Sequence, residues 1–544
     1  MKFSSATVYQ IYPRSFYDSN GDGVGDIRGV IEKLDYIASL GVDYIWSTPF
    51  YVSPQRDNGY DIADYKAVDP RFGTMADVEE LIAEADKRGM GLIFDMVLTH
   101  SSIDHSFFQK AIAGDERYQR YYIFRDGRAP GEPPTNWQCA FGGSAWEWEP
   151  HIKKWYLHLH DVSQPDFDWT NPEVRRELID VVKFWREKGV KGFRFDVINL
   201  ISKPEVFADD TTGLGRKLFA DGPHVHEYLK ELVKGAGIDG MITVGEMAST
   251  NLENCIRYTN PAEHELSMSF SFHHLKVDYR GGDKWALMDA DIPALKKIFE
   301  EWQVGMAKAG GWNAVFWCNH DQPRAVSRFG DDEKFPVESA KMLAAVIHLM
   351  RGTPYIYQGE ELGMTNAKFT SIEQYRDVES LNYYKILRDA GKTDAEAIEI
   401  LGERSRDNGR TPMQWNAEKF AGFSTAEPWI SSPANFKTIN VDAEQDDANS
   451  VLNFYRMLVK FRKENKIVQE GGIEFIEREN PDVIAYRRTL DDAELIVICN
   501  FRGAEISTQD KPLAEYAAGR KKIIGNYEGS ADNLRPFEVV VFAK

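Results

Sequence analysis

The stretch "MADVEELIAEADKRGMGLIFDMVLTH", residues 75–100, joins a helix-like segment to a short apolar run that ends at a histidine. Apolar, β-branched or aromatic runs of this kind, separated by helical stretches, recur along the chain. They cover residues 6–13, 42–49, 90–100, 191–197, 240–246, 267–272, 313–320 and 353–361. Alternating strands and helices predict a parallel sheet, and eight units are what a (β/α)8 TIM barrel requires. A doubly wound open sheet is the alternative, but no Gly-rich phosphate loop follows the first strand.

Two segments interrupt this alternation. Residues 101–168 are rich in Trp, Gly and Pro and follow the third strand, so they predict a small inserted domain over the catalytic face. The last 80 or so residues change to short strands with turn signals and predict a C-terminal antiparallel β-sandwich domain. The expected ranges are 1–100 and 169–465 for the α/β barrel, 101–168 for the insertion and 466–544 for the C-terminal domain.

Composition excludes several classes of function. The 544 residues carry 65 basic and 85 acidic side chains, a formal charge of −20, which argues against nucleic acid or anionic membrane as a partner. We see no membrane span, signal peptide or obligate protein partner in the sequence. The four scattered cysteines are typical of reduced structural thiols, so we expect a cytoplasmic protein.

Charged groups stand at the ends of several predicted strands. Asp95, Arg194 with Asp196, Glu246, and Asp321 occupy positions where barrel enzymes carry their chemistry. A buried carboxylate costs several kcal/mol unless it is paired. The strand ends therefore predict either an active site or a structural ion-pair network.

Short motifs at these strand ends resemble those of the alpha-amylase family of glycoside hydrolases, in the right order. They are "DMVLTH" (95–100), "GFRFDV" (192–197), "VGEM" (244–247) and "CNHDQPR" (318–324), with "QPDFDW" (164–169) in the insertion. The similarity runs over essentially the whole chain. It implies a TIM barrel with an inserted domain B after strand three and a C-terminal β domain, which agrees with the architecture above.

The resemblance also implies roles for individual residues in a retaining hydrolysis. Asp196 would be the nucleophile, Glu246 the acid/base, and Asp321 the carboxylate that stabilises the oxocarbenium-like transition state. Nearby negative charge would help keep Glu246 protonated near neutral pH. The expected substrate-binding residues are Tyr60, Asp61, His100, Arg194, His320 and Arg410.

The loop "DSNGDGVGD", residues 18–26, resembles the first part of an EF-hand loop but has no Glu at the twelfth position. Isomaltase-type relatives within the family hold a structural Ca²⁺ in such a loop. The expected ligands are Asp18, Asn20, Asp22, the carbonyl of Val24, and Asp26. A polar turn without metal is the alternative.

The strand "SMSFSF" (267–272) runs into "HHLK" (273–276), a basic group that a neutral sugar would not need. A phosphate would need it, because it carries about two negative charges at pH 7. The surrounding sequence resembles the phosphotrehalose hydrolases of the family, which split trehalose 6-phosphate into glucose and glucose 6-phosphate. That resemblance implies a phosphate grip made by His273, Lys276 and Lys284, with His274 packed at the strand end.

Alternatives for the activity remain open at this point. "NGYD", Val197 and "SRDNGRTPMQW" (405–415) also resemble oligo-1,6-glucosidases of the isomaltase type. Thr99 stands where the family usually has Asn, and Asp168 replaces a usual Asn. Pro165 follows the isomaltase pattern, where a phosphotrehalose hydrolase is expected to have Ala. An inactive carbohydrate-binding relative would not need all three carboxylates, whereas a sugar isomerase or transglycosidase is harder to exclude.

Overall fold

The computed structural model describes residues 3–529 and 531–544. The strands are β1 (Val8–Ile11), β2 (Tyr44–Ser47), β3 (Tyr51–Val52), β4 (Asp64–Val68), β5 (Gly91–Met96), β6 (Phe124–Arg125), β7 (Trp146–Glu149), β8 (Lys154–Leu157), β9 (Gly192–Phe195), β10 (Ile242–Met247), β11 (Met268–Ser271), β12 (Ala314–Val315), β13 (Thr353–Tyr357), β14 (Gly472–Ile476), β15 (Val483–Leu490), β16 (Ala493–Asn500), β17 (Lys521–Gly525) and β18 (Val539–Ala543).

Some of the α-helices connect the strands of the main sheet, and the others lie in the insertion, after β13 or in the C-terminal region. They are α1 (Ile27–Glu32), α2 (Leu34–Ser39), α3 (Met75–Lys87), α4 (Ser106–Ile112), α5 (Glu116–Gln119), α6 (Pro172–Glu187), α7 (Arg216–Phe219), α8 (Val225–Ala236), α9 (Leu252–Thr259), α10 (Ile292–Ala309), α11 (Ala325–Phe329), α12 (Pro336–Leu349), α13 (Val378–Asp389), α14 (Asp394–Arg404), α15 (Asp407–Arg410), α16 (Val441–Glu444), α17 (Val451–Glu464), α18 (Lys466–Glu470) and α19 (Leu513–Ala517).

The main sheet is a parallel barrel. Within residues 3–529 and 531–544, its eight strands pair in the order β11, β10, β9, β5, β2, β1, β13, β12. A further parallel bridge joins Ser269 of β11 to Asn313, which precedes β12, and closes the circle. Each predicted apolar run contains one of these strands, so the TIM barrel prediction is confirmed.

The stretch at residues 75–100 shows how local sequence builds one barrel unit. Helix α3 begins at a capping box in which Thr74 and Asp77 exchange hydrogen bonds. Its Val78, Leu81 and Ala85 are buried against the barrel, as the period of 3.6 residues requires. Strand β5 then runs almost wholly buried, because parallel strands are covered on both faces. It delivers Asp95 to the carboxyl end of the sheet.

The insertion and the C-terminal region flank this barrel. Residues 101–168 contain a three-stranded antiparallel sheet in the order β6, β8, β7, and an antiparallel bridge between His100 and Asp166 ties the segment to the end of β5. Near the C-terminus, β14–β18 form an antiparallel sheet. Alternate residues of β15 pack toward the barrel and toward α19, so both faces of this one sheet are buried. The domain boundaries themselves stay predictions, and residues 1 and 2 of the first range lie outside the described part of the chain.

Candidate active site

A cavity of about 270 Å³ opens at the carboxyl ends of the barrel strands. Eight of the predicted site residues line it: Tyr60, His100, Asp196, Glu246, His273, Lys276, Lys284 and Asp321. Strands β9, β10, β11 and β12, or the loops that follow them, carry most of these side chains. The parallel barrel thus brings together groups that lie far apart in sequence.

Arg194 lies beneath the cavity and joins its carboxylates. One terminal nitrogen, Nη1, donates to Asp95 and to Asp196, each at 2.7 Å, and Nη2 contacts Glu246. Arg194 is buried, and these negative neighbours raise its pKa although burial opposes them. A single planar guanidinium therefore holds the predicted nucleophile and the predicted acid/base next to each other, which is the arrangement that a retaining mechanism uses.

Asp95 supports this arrangement from below. Its Oδ2 accepts hydrogen bonds from the Tyr60 hydroxyl at 2.8 Å and from the indole of Trp46 at 3.2 Å. Burial raises the pKa of Asp95 to about 7, and the charge of Asp196 acts in the same direction. Asp95 thus orients Tyr60 and Arg194 without itself reaching the cavity.

Asp321 is held by two arginines. Arg410 donates to its Oδ1 at 2.7 Å and Arg406 at 3.3 Å. Burial alone would raise the pKa of Asp321, but the neighbouring His320, Arg406 and Arg410 together outweigh it and hold the pKa below the ordinary range. Asp321 is therefore ionised at neutral pH, as a group that stabilises positive charge must be. We call Asp196, Glu246 and Asp321, with Arg194, Arg406 and Arg410, the carboxylate floor.

The two histidines of the motifs are neutral. Burial lowers the pKa of His320 to about 3 and also lowers the pKa of His100. His320 Nδ1 lies 2.8 Å from Gln10 Nε2, and His100 Nδ1 lies 2.8 Å from the hydroxyl of Thr99. Thr99 thus orients His100. His320 is fully buried behind the cavity wall, whereas His100 reaches the cavity.

The structure places Asp57 where Asp61 was expected. The carboxylate of Asp61 accepts from the Ser53 hydroxyl and from the amides of Arg56 and Asp57, so it holds the loop together behind the wall. Asp61 does not line the cavity, so the structure does not place it where a direct contact with sugar was predicted. Asp57 lines the cavity. Spacing in the sequence does not show which of two acidic residues in one motif faces the cavity when the loop between them is irregular.

Arg406 is the second residue that sequence reasoning missed. It lines the cavity, and its Nη2 lies 2.9 Å from Asp57 and also contacts Asp377. The predicted Arg410 instead lies fully buried under Asp321, and Arg194 lies under Asp196. Both arginines therefore position carboxylates. The stretch "SRDNGR" contained both Arg406 and Arg410, but only the fold shows which one faces the cavity.

Val197, directly after Asp196, has a left-handed backbone with φ 35° and ψ 41°. A β-branched residue is rarely found there, and such strain costs about 1–3 kcal/mol. The turn directs the Asp196 carboxylate toward the cavity and places the Val197 side chain in the cavity wall. Strained backbone of this kind is often found at active sites, which agrees with the predicted role of Asp196.

Another part of the cavity lining is basic. His273 and Lys276 lie on a short 3-10 helix after β11, and Lys284 pairs with Glu379 at 2.6 Å. Burial and the charge of Lys276 lower the pKa of His273, so His273 is neutral. We call His273, Lys276 and Lys284 the basic rim. His274 points away from it and lies 2.8 Å from the carbonyl of Phe316.

The predicted metal loop is an ordered polar turn. Asp18 accepts from the amides of Asn20, Gly21 and Gly23, and Asp26 caps helix α1 through the amide of Gly29. The five predicted ligands offer only oxygen, the donor type that Ca²⁺ takes. In the part of the chain that the structure describes, no three His, Cys, Asp or Glu side chains form a metal cluster. The calcium stays a prediction.

The fold and this floor of carboxylates define a class of protein. Residues 10–471 match the family model described as the alpha-amylase catalytic domain. The chain therefore belongs to the alpha-amylase family, and it is a glycoside hydrolase of that family.

Individual relatives cover the whole chain. It is 50% identical to the trehalose-6-phosphate hydrolase of Bacillus subtilis over 99% of this chain and 98% of that protein. It is 47% identical to the oligo-1,6-glucosidase of Parageobacillus thermoglucosidasius, with the same coverage. A crystal structure of a mutant trehalose-6-phosphate hydrolase from Bacillus licheniformis superposes with a TM-score of 0.96 at 51% identity, covering 99% of both chains.

Proposed function

We propose that this enzyme hydrolyses trehalose 6-phosphate to glucose and glucose 6-phosphate. The observation that carries the proposal is a basic rim in the same cavity as the carboxylate floor. The protein carries a formal charge of −20, so its overall field repels an anionic substrate. Attraction of such a substrate must therefore come from nearby cations. Lys276 is such a cation, since it has no carboxylate partner among the described residues and can bind an anion. The B. subtilis and B. licheniformis relatives support the same substrate.

The geometry supports a double displacement. Asp196 would attack the anomeric carbon of the glucose in the cavity while Glu246 gives its proton to the leaving oxygen, which departs as glucose 6-phosphate. Glu246 would then take a proton from water, and this water would attack the same carbon and release Asp196. Two inversions retain the α configuration. Asp321, kept ionised by Arg406 and Arg410, would stabilise the positive charge that develops on the ring.

The orientation of the substrate would follow from which residues contact each of its two glucose units. Asp57, Arg406 and His100 offer hydrogen bonds to the hydroxyls of the glucose that is cleaved off. The phosphorylated glucose would lie toward Lys276 and Lys284. Phosphate oxygens make charge-assisted hydrogen bonds with such cations, which are stronger than bonds between neutral groups.

An oligo-1,6-glucosidase activity is the second candidate, because a relative with that activity is 47% identical. The deciding experiment compares turnover of trehalose 6-phosphate, trehalose and isomaltose by the same preparation. We expect kcat/KM to be highest for trehalose 6-phosphate by a wide margin. Equal or faster turnover of isomaltose would replace the proposal with the second candidate.

We also propose a structural Ca²⁺ in the 18–26 loop and a cytoplasmic location. The Ca²⁺ proposal is supported by a ligand set that offers only oxygen atoms, from Asp18, Asn20, Asp22, Val24 and Asp26. The four cysteines, all buried and free, support a reducing compartment. None of the helices in residues 3–529 and 531–544 is long and apolar enough to cross a membrane.

A further inference from the structure

Arg216 is a cation of the cavity that no sequence motif indicates. It is the first residue of the short helix α7, in the segment between β9 and α8, and it lines the cavity together with Lys276 and Lys284. The segment lies between the motifs at 192–197 and 244–247 and belongs to neither. Its side chain is exposed, so solvent and ligand can both reach it.

The backbone that carries Arg216 is fixed by packing. Phe219, at the other end of α7, is buried, and its ring centroid lies 5.5 Å from that of Trp137 in the inserted segment. Gly215 precedes the helix with φ +72°, and a Cβ there would come within 2.6 Å of the Trp137 ring. Asp210 accepts from the Gly215 amide at 2.9 Å. The inserted segment therefore places Arg216 at the cavity wall.

The charge of Arg216 is not balanced. In residues 3–529 and 531–544, the Arg216 and Lys276 side chains have no hydrogen bond or ion pair, whereas Lys284 is paired with Glu379. Lys276 and Arg216 also repel each other: burial lowers the pKa of the Lys276 ammonium, and the charge of Arg216 lowers it further. Two facing cations without a carboxylate partner cost free energy, which an anion between them would recover.

We infer that Arg216 and Lys276 together bind the phosphate of the substrate, with Arg216 determining specificity for the phosphorylated sugar. This inference rests on the proposed function. Arg216 would supply a planar fork for two phosphate oxygens, and Lys276 a point charge. A solvated surface arginine with no ligand is the competing interpretation.

The test compares Arg216→Ala with Lys217→Ala, a matched control. Lys217 is the next residue of α7, is exposed, and does not line the cavity. For each variant we would measure the ratio of kcat/KM for trehalose 6-phosphate to kcat/KM for an uncharged chromogenic α-glucoside. We expect Arg216→Ala to lower this ratio about tenfold, mainly through KM, because one exposed charge-assisted contact is lost. Lys217→Ala should leave it unchanged, and Arg216→Lys should recover part of the loss.

A binding measurement gives an independent readout. Glucose 6-phosphate and glucose would be compared as inhibitors of hydrolysis of the uncharged glucoside. Arg216→Ala should weaken inhibition by glucose 6-phosphate about tenfold relative to glucose. If the wild type prefers trehalose 6-phosphate but Arg216→Ala behaves like Lys217→Ala, the inference about Arg216 is overturned and the proposed function stands. If the wild type shows no preference for either phosphorylated compound, the proposed function fails, and the inference with it.

Discussion

The carboxylate floor and the basic rim lie in one cavity but differ in how their charges are balanced. On the floor, Arg194 contacts both Asp196 and Glu246, and Asp321 has two arginine partners. On the rim, Lys284 has one carboxylate partner, while Lys276 has none among the described residues. Buried charges must be paired to be tolerated, whereas a cation that opens onto the cavity, as Lys276 does, can remain unpaired until a ligand binds. The floor is thus preorganised for bond cleavage, and the rim is available for substrate selection.

Among changes to the carboxylate floor, we expect Asp196→Asn to cause the largest loss of activity. It should lower kcat on the phosphorylated and the uncharged substrate alike, on the order of 10⁴-fold or more, because the nucleophile is lost. Steady-state assays on both substrates and a circular dichroism spectrum would check activity and fold. For the wild type, early NMR spectra of the product should show α-glucose. Early β-glucose would contradict the retaining mechanism.

Changes on the rim should affect one substrate only. Lys276→Ala and Lys284→Ala should each lower the ratio of kcat/KM for trehalose 6-phosphate to that for an uncharged glucoside by roughly ten- to hundredfold, since each removes a contact worth about 1.5–3 kcal/mol. We expect the larger effect at Lys276, because Glu379 already neutralises Lys284. His273→Ala should have a smaller effect, because its lowered pKa leaves it uncharged. An unchanged ratio in both lysine variants would favour the isomaltase-type function.

Asp57, whose carboxylate lies 2.9 Å from Arg406 of the carboxylate floor, tests how much a buried acid in the cavity wall costs in stability. Burial raises its pKa to about 7 from the ordinary 3.8, so the folded protein holds a proton there that the unfolded chain releases. Its contribution to stability is present below about pH 4 and is lost as pH rises toward 7. Asp57→Asn should therefore melt at a higher temperature relative to wild type at pH 7.5 than at pH 5.5. Asp492→Asn, in the exposed turn between β15 and β16, is the control and should show no such trend.

The 18–26 loop lies outside both regions and should show the smallest effect on catalysis. Removing Ca²⁺ with a chelator should lower the melting temperature by a few degrees, because a ligand bound only to the folded state stabilises it. The ratio of activities on charged and uncharged substrates should not change. Elemental analysis that finds no metal, together with an unchanged melting curve, would leave the loop as a polar turn.

Sequence alone determined the barrel and the three carboxylates of the floor. Each strand is a short apolar run, and Asp196, Glu246 and Asp321 stand at or just beyond the ends of such runs, so local patterns place them at one edge of a parallel sheet. Two residues of the basic rim, His273 and Lys276, were also visible in the sequence, because "HHLK" follows an alternating strand.

Only the tertiary structure decided which polar groups face the cavity and which charged groups have a partner of opposite charge. Asp57 and Asp61 are four residues apart in one motif, yet an irregular loop turns Asp57 to the cavity and Asp61 away from it. Lys284 meets Glu379, and Arg406 meets Asp57, across 95 and 349 residues of chain. Arg216 is placed by the packing of Phe219 on Trp137. Such pairings depend on the three-dimensional path of loops, which no periodicity in the sequence encodes.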